Sequence, residues 1–316
     1  MTPAPLASVI VPSHRGAVRL PALLDALAAQ DAPTPELEVV VVVDGVVDDT
    51  PRVLEQERRL RLLPVVLPHN RGRVAALNAG FEAARGEVLI RCDDDLLPGP
   101  RFVERHVAAH DREGPSRGVV GLYRNLYEPT PYAEVYGVHA DHRFREDAYA
   151  APAERRWRYW AGNCSLPRAL AVEIGSYDPS YRLYGWEDVD YGYRIAAAGH
   201  PVELDPGLET PHRVAAVTTR IRARRASQAA AARRIFEAAH GTAALPPAVP
   251  PWSAWNTAVR AAALAVTVVG PQRGGAVVDA ALPGLPRPVG RKLVALAVEG
   301  AALSAYRRPD RAQEVF

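Results

Sequence analysis

Two acidic clusters in this sequence have the residue types and the setting of reactive groups. Residues 88–98 read VLIRCDDDLLP, an apolar run that enters three consecutive aspartates, Asp93, Asp94 and Asp95, and then a proline. Adjacent carboxylates repel one another, and at the rim of a sheet a bound cation neutralises them. An acidic surface loop is the competing reading of a bare triplet. Residues 185–199 read GWEDVDYGYRIAAAG, which places Glu187 and Asp188 in the first turn of a helix closed by Gly199. A carboxylate there can accept a proton from a hydroxyl, although helix N-termini also favour acids on dipole grounds alone.

The elements that must position these groups are legible in the first 95 residues, where strand and helix patterns alternate four times. A short apolar strand ends at Pro12, and RLPALLDALAAQ follows with apolar residues at helical spacing. ELEVVVVVDG reads as a strand buried on both faces, and TPRVLEQERRLRLL as a helix opened by Thr50 and Pro51. LPVVLP, RVAALNAGFEAA and GEVLIRC give a strand, a helix and a strand. This is the pattern of a mostly parallel α/β sheet flanked by helices. Ligands of such sheets bind outside the carboxyl ends of the strands. Four polar clusters, PSHR, DGVVDDT, HNRGR and DDD, each follow a predicted strand. Neither GxGxxG after the first strand nor GxxxxGK[ST] occurs, which excludes the usual dinucleotide and P-loop signatures.

Beyond Gly99 the reading is a helix in RFVERHVAAHDREG, one strand in RGVVGLYRNLYE, and irregular chain over 128–156. A helix opens at Pro167 and Arg168, RLYGW is a Gly-hinged loop, and HPVELDPGLETPHR gives a last strand and a turn. A basic helix over 217–239, a linker over 241–251 and two apolar helical stretches separated by Pro- and Gly-rich chain complete the sequence.

In this order, VPSHR, DGVVDDT, NRGRVAALNAG, the acidic triplet and GWEDVDYGYRIAAAG resemble the inverting family 2 glycosyltransferases of the GT-A fold, over roughly residues 8–215. The resemblance implies transfer of a sugar from a nucleoside diphosphate sugar to an acceptor hydroxyl with inversion. It implies a divalent metal, Mn²⁺ or Mg²⁺, which prefers oxygen ligands and neutralises the departing diphosphate. Asp93 would lie near ribose and metal and Asp95 would be the direct ligand, with Asp94 an alternative because the register of three acids can shift by one. His212 would be a further metal ligand. Pro12, His14, Arg15, Asp44, Asp48 and Arg73 would line the nucleotide-sugar pocket; Val46 stands where the family motif has Ser. Asp48 also fits a helix N-terminal role and Arg73 a surface one. Asp188 would be the general base and Glu187 would orient it or the acceptor.

The segment 161–199 is similar to the acceptor-side motif of the β-galactosyltransferases and the polypeptide N-acetylgalactosaminyltransferases. The latter are retaining and have an altered acid pair, whereas this chain keeps Asp after Glu. Trp160, Asn163, Tyr184 and Trp186 are the acceptor-binding candidates, the aromatics by stacking on sugar faces or, alternatively, as core. The competing functions are a nucleotidyltransferase making an activated sugar, for which PSHRGAVRLP is a thin match to a Gly-rich basic loop, and a non-catalytic nucleotide-sugar-binding protein.

The expected organisation is a GT-A-like catalytic domain over 1–215, with a nucleotide-binding half (1–98) and an acceptor-binding half (99–215), then a helical extension over 216–316. A formal charge of +2 gives no global field for nucleic acid. Two cysteines, Cys92 and Cys164, with no CxxC, fit a reducing compartment. MTPAPLASVIVPSHRG lacks the pattern of a secretory leader, and AVRAAALAVTVVG falls short of the about 20 residues a spanning helix needs. The expectation is a cytoplasmic enzyme using a UDP- or dTDP-sugar. Its acceptor would be a glycan, a lipid-linked sugar or a small natural product. The extension would pack on the catalytic domain, form a homodimer or touch the inner face of a membrane.

Overall fold

The structure, a computed structural model, describes residues 6–31, 37–213 and 215–312. The first five residues of the leader reading lie outside them. Four parallel strands, β1 (Ala7–Ser13), β2 (Leu37–Asp44), β3 (Arg61–Leu67) and β4 (Val88–Cys92), stand in the order β3-β2-β1-β4. Their connections are α1 (Leu20–Ala28), α2 (Thr50–Gln56) and α3 (Arg73–Ala83). Alternate strand residues feed two cores, Ile10, Val40 and Val42 on one face and Val9, Val11, Val39 and Val41 on the other. A run of five valines in β2 therefore needs no alternation in its sequence.

The sheet continues past β4 with an antiparallel strand, β7 (Asn163–Pro167), then β5 (Gly118–Val120) and β8 (Val202–Leu204). A separate parallel pair joins β6 (Tyr123–Asn125) to β9 (Thr210–His212). The expected single strand over RGVVGLYRNLYE is thus two strands broken at Gly121. A Cβ at Gly121 would lie 2.2 Å from the Leu208 carbonyl oxygen. The single expected strand after His200 is likewise two, β8 and β9, and β7 is a strand the sequence reading missed. Helices α4 (Phe102–His110), α5 (Val138–Tyr149), α6 (Arg168–Ile174) and α7 (Trp186–Ala197) flank this half. Helix α5 occupies chain expected to be irregular. Ala148 is its one fully buried residue, so no apolar stripe announces it.

Helices α8 (Thr219–His240), α9 (Ala254–Val269), α10 (Pro271–Ala281) and α11 (Arg287–Arg307) form a C-terminal layer. It packs directly on α7: the fully buried Phe236 of α8 meets Trp186 at 5.3 Å and Tyr193 at 5.2 Å between ring centroids. His240 Nε2 lies 2.7 Å from Asp190 Oδ1. Helix α10 replaces the Pro- and Gly-rich separator expected there, with Pro271 at its first position, where a missing N–H costs nothing. Gly275 lets α10 approach α8, because a Cβ there would lie 2.5 Å from Arg220 Cα. Gly275→Val is expected to lower stability by about 1–3 kcal/mol in chemical denaturation; an unchanged midpoint would contradict this close helix contact.

Candidate active site

The carboxyl ends of β1, β2 and β4 open on one cavity of about 170 Å³ lined by Pro12, His14, Asp44, Arg73 and the acidic triplet. Local backbone bonds shape its rim. Both oxygens of Asp44 accept from the amides of Arg71 (2.7 Å) and Gly72 (2.9 Å), fixing the loop that starts α3. The His14 ring nitrogen is 2.7 Å from the Asp44 carbonyl oxygen. Asp48 accepts from the Ala17 amide and from Thr50, tying the β1–α1 loop to the β2–α2 loop. Burial works against its charge, but those hydrogen bonds outweigh it and hold the carboxyl below its ordinary range.

The three aspartates go three different ways. Asp94 is buried against Arg19 (2.9 and 2.8 Å) and Ser13 (2.6 Å), so both its oxygens are occupied by protein. Asp93 takes Arg91 Nε at 3.1 Å and the Tyr123 hydroxyl at 3.2 Å, with Arg73 Nη1 at 4.0 Å. Burial raises its pKa, and the Arg91 and Arg73 charges more than reverse that. Asp95 is left. Its Oδ2 lies 3.1 Å from His212 Nε2, while its Oδ1 is buried with no hydrogen-bond partner. The β9 chain is threaded beside the triplet by Leu97 N–H to Pro211 and Arg213 N–H to Asp95, both 2.9 Å, and this brings His212 to Asp95. Asn125 Oδ1 fixes the other His212 ring nitrogen at 2.6 Å, and Tyr123 stacks on the ring at 4.8 Å.

An orphaned carboxylate oxygen beside an imidazole nitrogen is a donor set that Mn²⁺ or Mg²⁺ accepts. No group of three or more acidic, His or Cys side chains among the described residues could hold a metal unaided.

A second cavity of about 430 Å³ adjoins the first and shares Arg73, Asp93 and Asp95 with it. Asp188 faces it from the first turn of α7. Arg91, fully buried in β4, pairs through Nη1 with Asp188 and through Nε with Asp93. Burial disfavours the guanidinium charge, but the two carboxylates overcome this and keep it protonated. Burial also raises the Asp188 pKa, against the pull of Arg91. Its neighbour Glu187 is pushed up to about 7, by burial first and by Asp188 second. Glu187 Oε2 accepts from the Gly185 N–H at 2.9 Å, capping the helix, and its Oε1 lies 3.8 Å from Arg73. Gly185 occupies the left-handed region at φ +98°, which only glycine adopts freely.

Tyr184 and Trp186 line this cavity, and the Arg73 guanidinium lies over the Tyr184 ring at 5.8 Å. Two sequence expectations are corrected, for Asn163 and Arg15, and the alternatives for Trp160 are narrowed. Asn163 is fully buried, its amide bonded to Leu208 and Thr210 and its carbonyl oxygen to His106, so it joins β7 to its neighbours and lines neither cavity. Of the two roles weighed for Trp160, the structure favours the core one: its ring is buried against Tyr191 and its N–H is on Tyr177, at the border of the second cavity. Arg15 is exposed and lines neither cavity; Arg19 reaches the triplet in its place. The sequence reading also missed Arg91, Tyr123 and Asn125. Arg91 alone carried a signal, a lone charge inside a buried apolar strand.

A family model described as Glycosyl transferase family 2 matches residues 8–172, more than half of the chain. The chain belongs to glycosyl transferase family 2. That assignment displaces the nucleotidyltransferase reading. Validoxylamine A glucosyltransferase of Streptomyces hygroscopicus subsp. jinggangensis (strain 5008) is 30% identical over 237 residues, 66% of this chain and 56% of that protein. The undecaprenyl-phosphate 4-deoxy-4-formamido-L-arabinose transferase of Pseudomonas savastanoi pv. phaseolicola (strain 1448A / Race 6) is 30% identical over 196 residues, 60% of this chain and 51% of that protein. The chain spans about half the length of these curated relatives. Among solved structures, the mannosyltransferase PcManGT from Pyrobaculum calidifontis in complex with GDP-Man and Mn²⁺ superposes with a TM-score of 0.61 at 22% identity, covering 97% of this chain and 89% of that one. S. aureus TarS 1–349 in complex with UDP-GlcNAc gives 0.54 at 17% identity, covering 96% and 92%. At these identities the likeness is one of fold, and the family 2 chain described here has the GT-A-like sheet.

The raised Glu187 pKa has a definite sign. The unfolded carboxyl ionises near 4.5 and the folded one near 7, so between those values the native state keeps a proton that the unfolded state has lost. The Glu187 contribution to stability therefore falls as pH rises through this window. Glu187→Gln is expected to gain melting temperature relative to the parent between about pH 5 and about pH 7; a constant difference across that range would contradict the assignment.

Proposed function

We propose that this chain transfers a glycosyl group from a nucleoside diphosphate sugar to an acceptor hydroxyl, inverting the anomeric centre. The observation that carries the reading is the placement of three groups around one pair of joined cavities: the Asp95–His212 pair, the Asp93–Arg91–Asp188 bridge, and Arg73 between them. The nucleoside would occupy the smaller cavity against Pro12, His14 and Asp44. The sugar would project past Arg73 toward Asp188, and the acceptor would enter along Tyr184 and Trp186.

In this reading Asp188 accepts the acceptor hydroxyl proton as the acceptor oxygen bonds to the anomeric carbon. The bond from that carbon to the phosphate oxygen breaks, and the diphosphate leaves with the electron pair. Burial makes Asp188 more basic than an ordinary carboxylate, and Arg91 orients it. Arg73 lies where it can meet charge growing on the leaving group. A divalent cation held by Asp95 and His212 supplies further neutralisation of the diphosphate when bound. Glu187, whose own hydrogen bond runs back to Gly185, is a positioning residue for α7. UDP- and dTDP-sugars are the favoured donors, a glycan, lipid-linked sugar or natural product the acceptor, and the cytoplasm the compartment.

Asp188→Asn is expected to leave donor affinity nearly unchanged and to lower turnover by roughly 10²- to 10⁴-fold. Calorimetry and a rate assay on the same preparation separate the two; a collapse of donor affinity would make Asp188 a donor ligand or a structural group. Asp95→Ala is expected to erase the effect of Mn²⁺ on nucleotide binding, and an undiminished metal effect would move the ligand elsewhere.

A further inference from the structure

The C-terminal layer carries an apolar surface that the protein leaves uncovered. Helix α9 is apolar on both sides. Val259 and Ala263 are buried against Leu303 of α11, while Ala261, Leu264, Ala265 and Val268, at helical spacing, are exposed on the other side. Leu264 is 64% exposed and Val268 86%. After a bend of 113° at Gly270, α10 continues the surface with Ala276, Ala280 and Val277, the last 71% exposed. A helix with apolar residues on opposite sides normally lies inside a core, and an exposed apolar area of this kind marks an interaction site. Among the described residues no single helix is long and apolar enough to cross a membrane.

Charge decides between occupants. Residues 217–316 carry 14 Lys and Arg against 5 Asp and Glu, a net +9, whereas residues 1–216 carry 24 against 31, a net −7. The small overall charge conceals this polarity. Three of the acids in the layer are already bound: Glu237 to Arg233 and Tyr306, Asp279 to the amides of Thr219 and Arg220, and Glu299 to the Trp255 indole. Arg220, Arg273, Arg287, Arg291 and Lys292 are exposed around α10 and the start of α11. A second copy placed on this surface would bring two strongly basic layers together, which is unfavourable. An anionic lipid surface complements both the apolar helices and the basic rim.

We propose that α9 and α10 form a monotopic docking surface for an anionic lipid bilayer, with Leu264, Val268 and Val277 entering the headgroup boundary and the surrounding arginines meeting lipid phosphates. This uses no residue of the transfer chemistry and stands or falls separately from it.

The test is co-sedimentation of the full chain with vesicles of phosphatidylcholine alone and of equimolar phosphatidylcholine and phosphatidylglycerol. Binding to the anionic vesicles is expected to exceed binding to the neutral ones by about tenfold or more and to weaken with added salt. The triple variant Leu264→Glu, Val268→Glu, Val277→Glu alters exposed side chains only. It should keep its circular dichroism and nucleotide binding while losing the vesicles, and Arg273→Glu with Arg287→Glu should weaken binding with the apolar face intact. Equal binding to both vesicle types, or anionic binding that survives the triple variant, would overturn the proposal. So would a concentration-dependent dimer in analytical ultracentrifugation that the triple variant abolishes while vesicles are ignored, which would assign the surface to a second copy.

Discussion

The site depends on one buried guanidinium. Arg91 is fully buried in β4, where an unpaired charge would be strongly disfavoured, and it is tolerated because Asp93 pairs with its Nε and Nη2 and Asp188 with its Nη1. Asp93 follows the end of β4 and Asp188 belongs to a helix 95 residues further along the chain. Neither carboxylate is comfortable alone, since the sheet edge and α7 exclude water around both. The ionic bridge therefore fixes the distance between the two halves of the site. It also frees Asp95 from internal pairing with arginine, leaving that residue to His212 and to a ligand.

The rest of the site follows as consequences of local chain geometry. A side chain at Gly162 would displace the site, because its Cβ would lie 2.1 Å from the Asp93 carboxyl carbon and 2.3 Å from the Tyr123 hydroxyl. Its carbonyl accepts from the Asp93 amide at 2.9 Å, so the antiparallel β7 supplies the floor under the acid triplet. The second cavity is closed by α8, which contributes Arg222 and Arg225, the second lying over the Tyr184 ring at 5.4 Å. The C-terminal layer is thus part of the cavity wall as well as the basic face of the molecule.

The parallel half of the fold was legible because each strand end is followed by a polar cluster and strand and helix patterns alternate along the chain. Valine runs, Thr50–Pro51 and the Gly-closed α7 are local signals, and they correspond to β2, the start of α2 and α7; the helix expected to run through RRLRLL stops at Gln56, and residues 61–63 belong to β3. What was not legible depends on pairings between distant segments. Strand β7 is a short antiparallel insertion whose partners, β4 and β5, lie about 70 and 45 residues upstream. Helix α5 is nearly all surface, and α10 contains the very Pro and Gly residues that ordinarily mark a break. Within the site, residue types identified the acids but not their divergent partners. That Asp94 would turn to Arg19, and Asn163 to His106, is set by loop and strand positions that no spacing rule encodes.

The proposed transfer turns on Asp95 and His212 holding a divalent cation for the nucleoside diphosphate. Calorimetric titration of the purified protein with UDP, dTDP and GDP, each with Mn²⁺ and again with EDTA, tests it most directly. Tight binding of one diphosphate, lost on chelation, is the expected result. A folded protein that binds none of the three, or binds one equally well without metal, would contradict it.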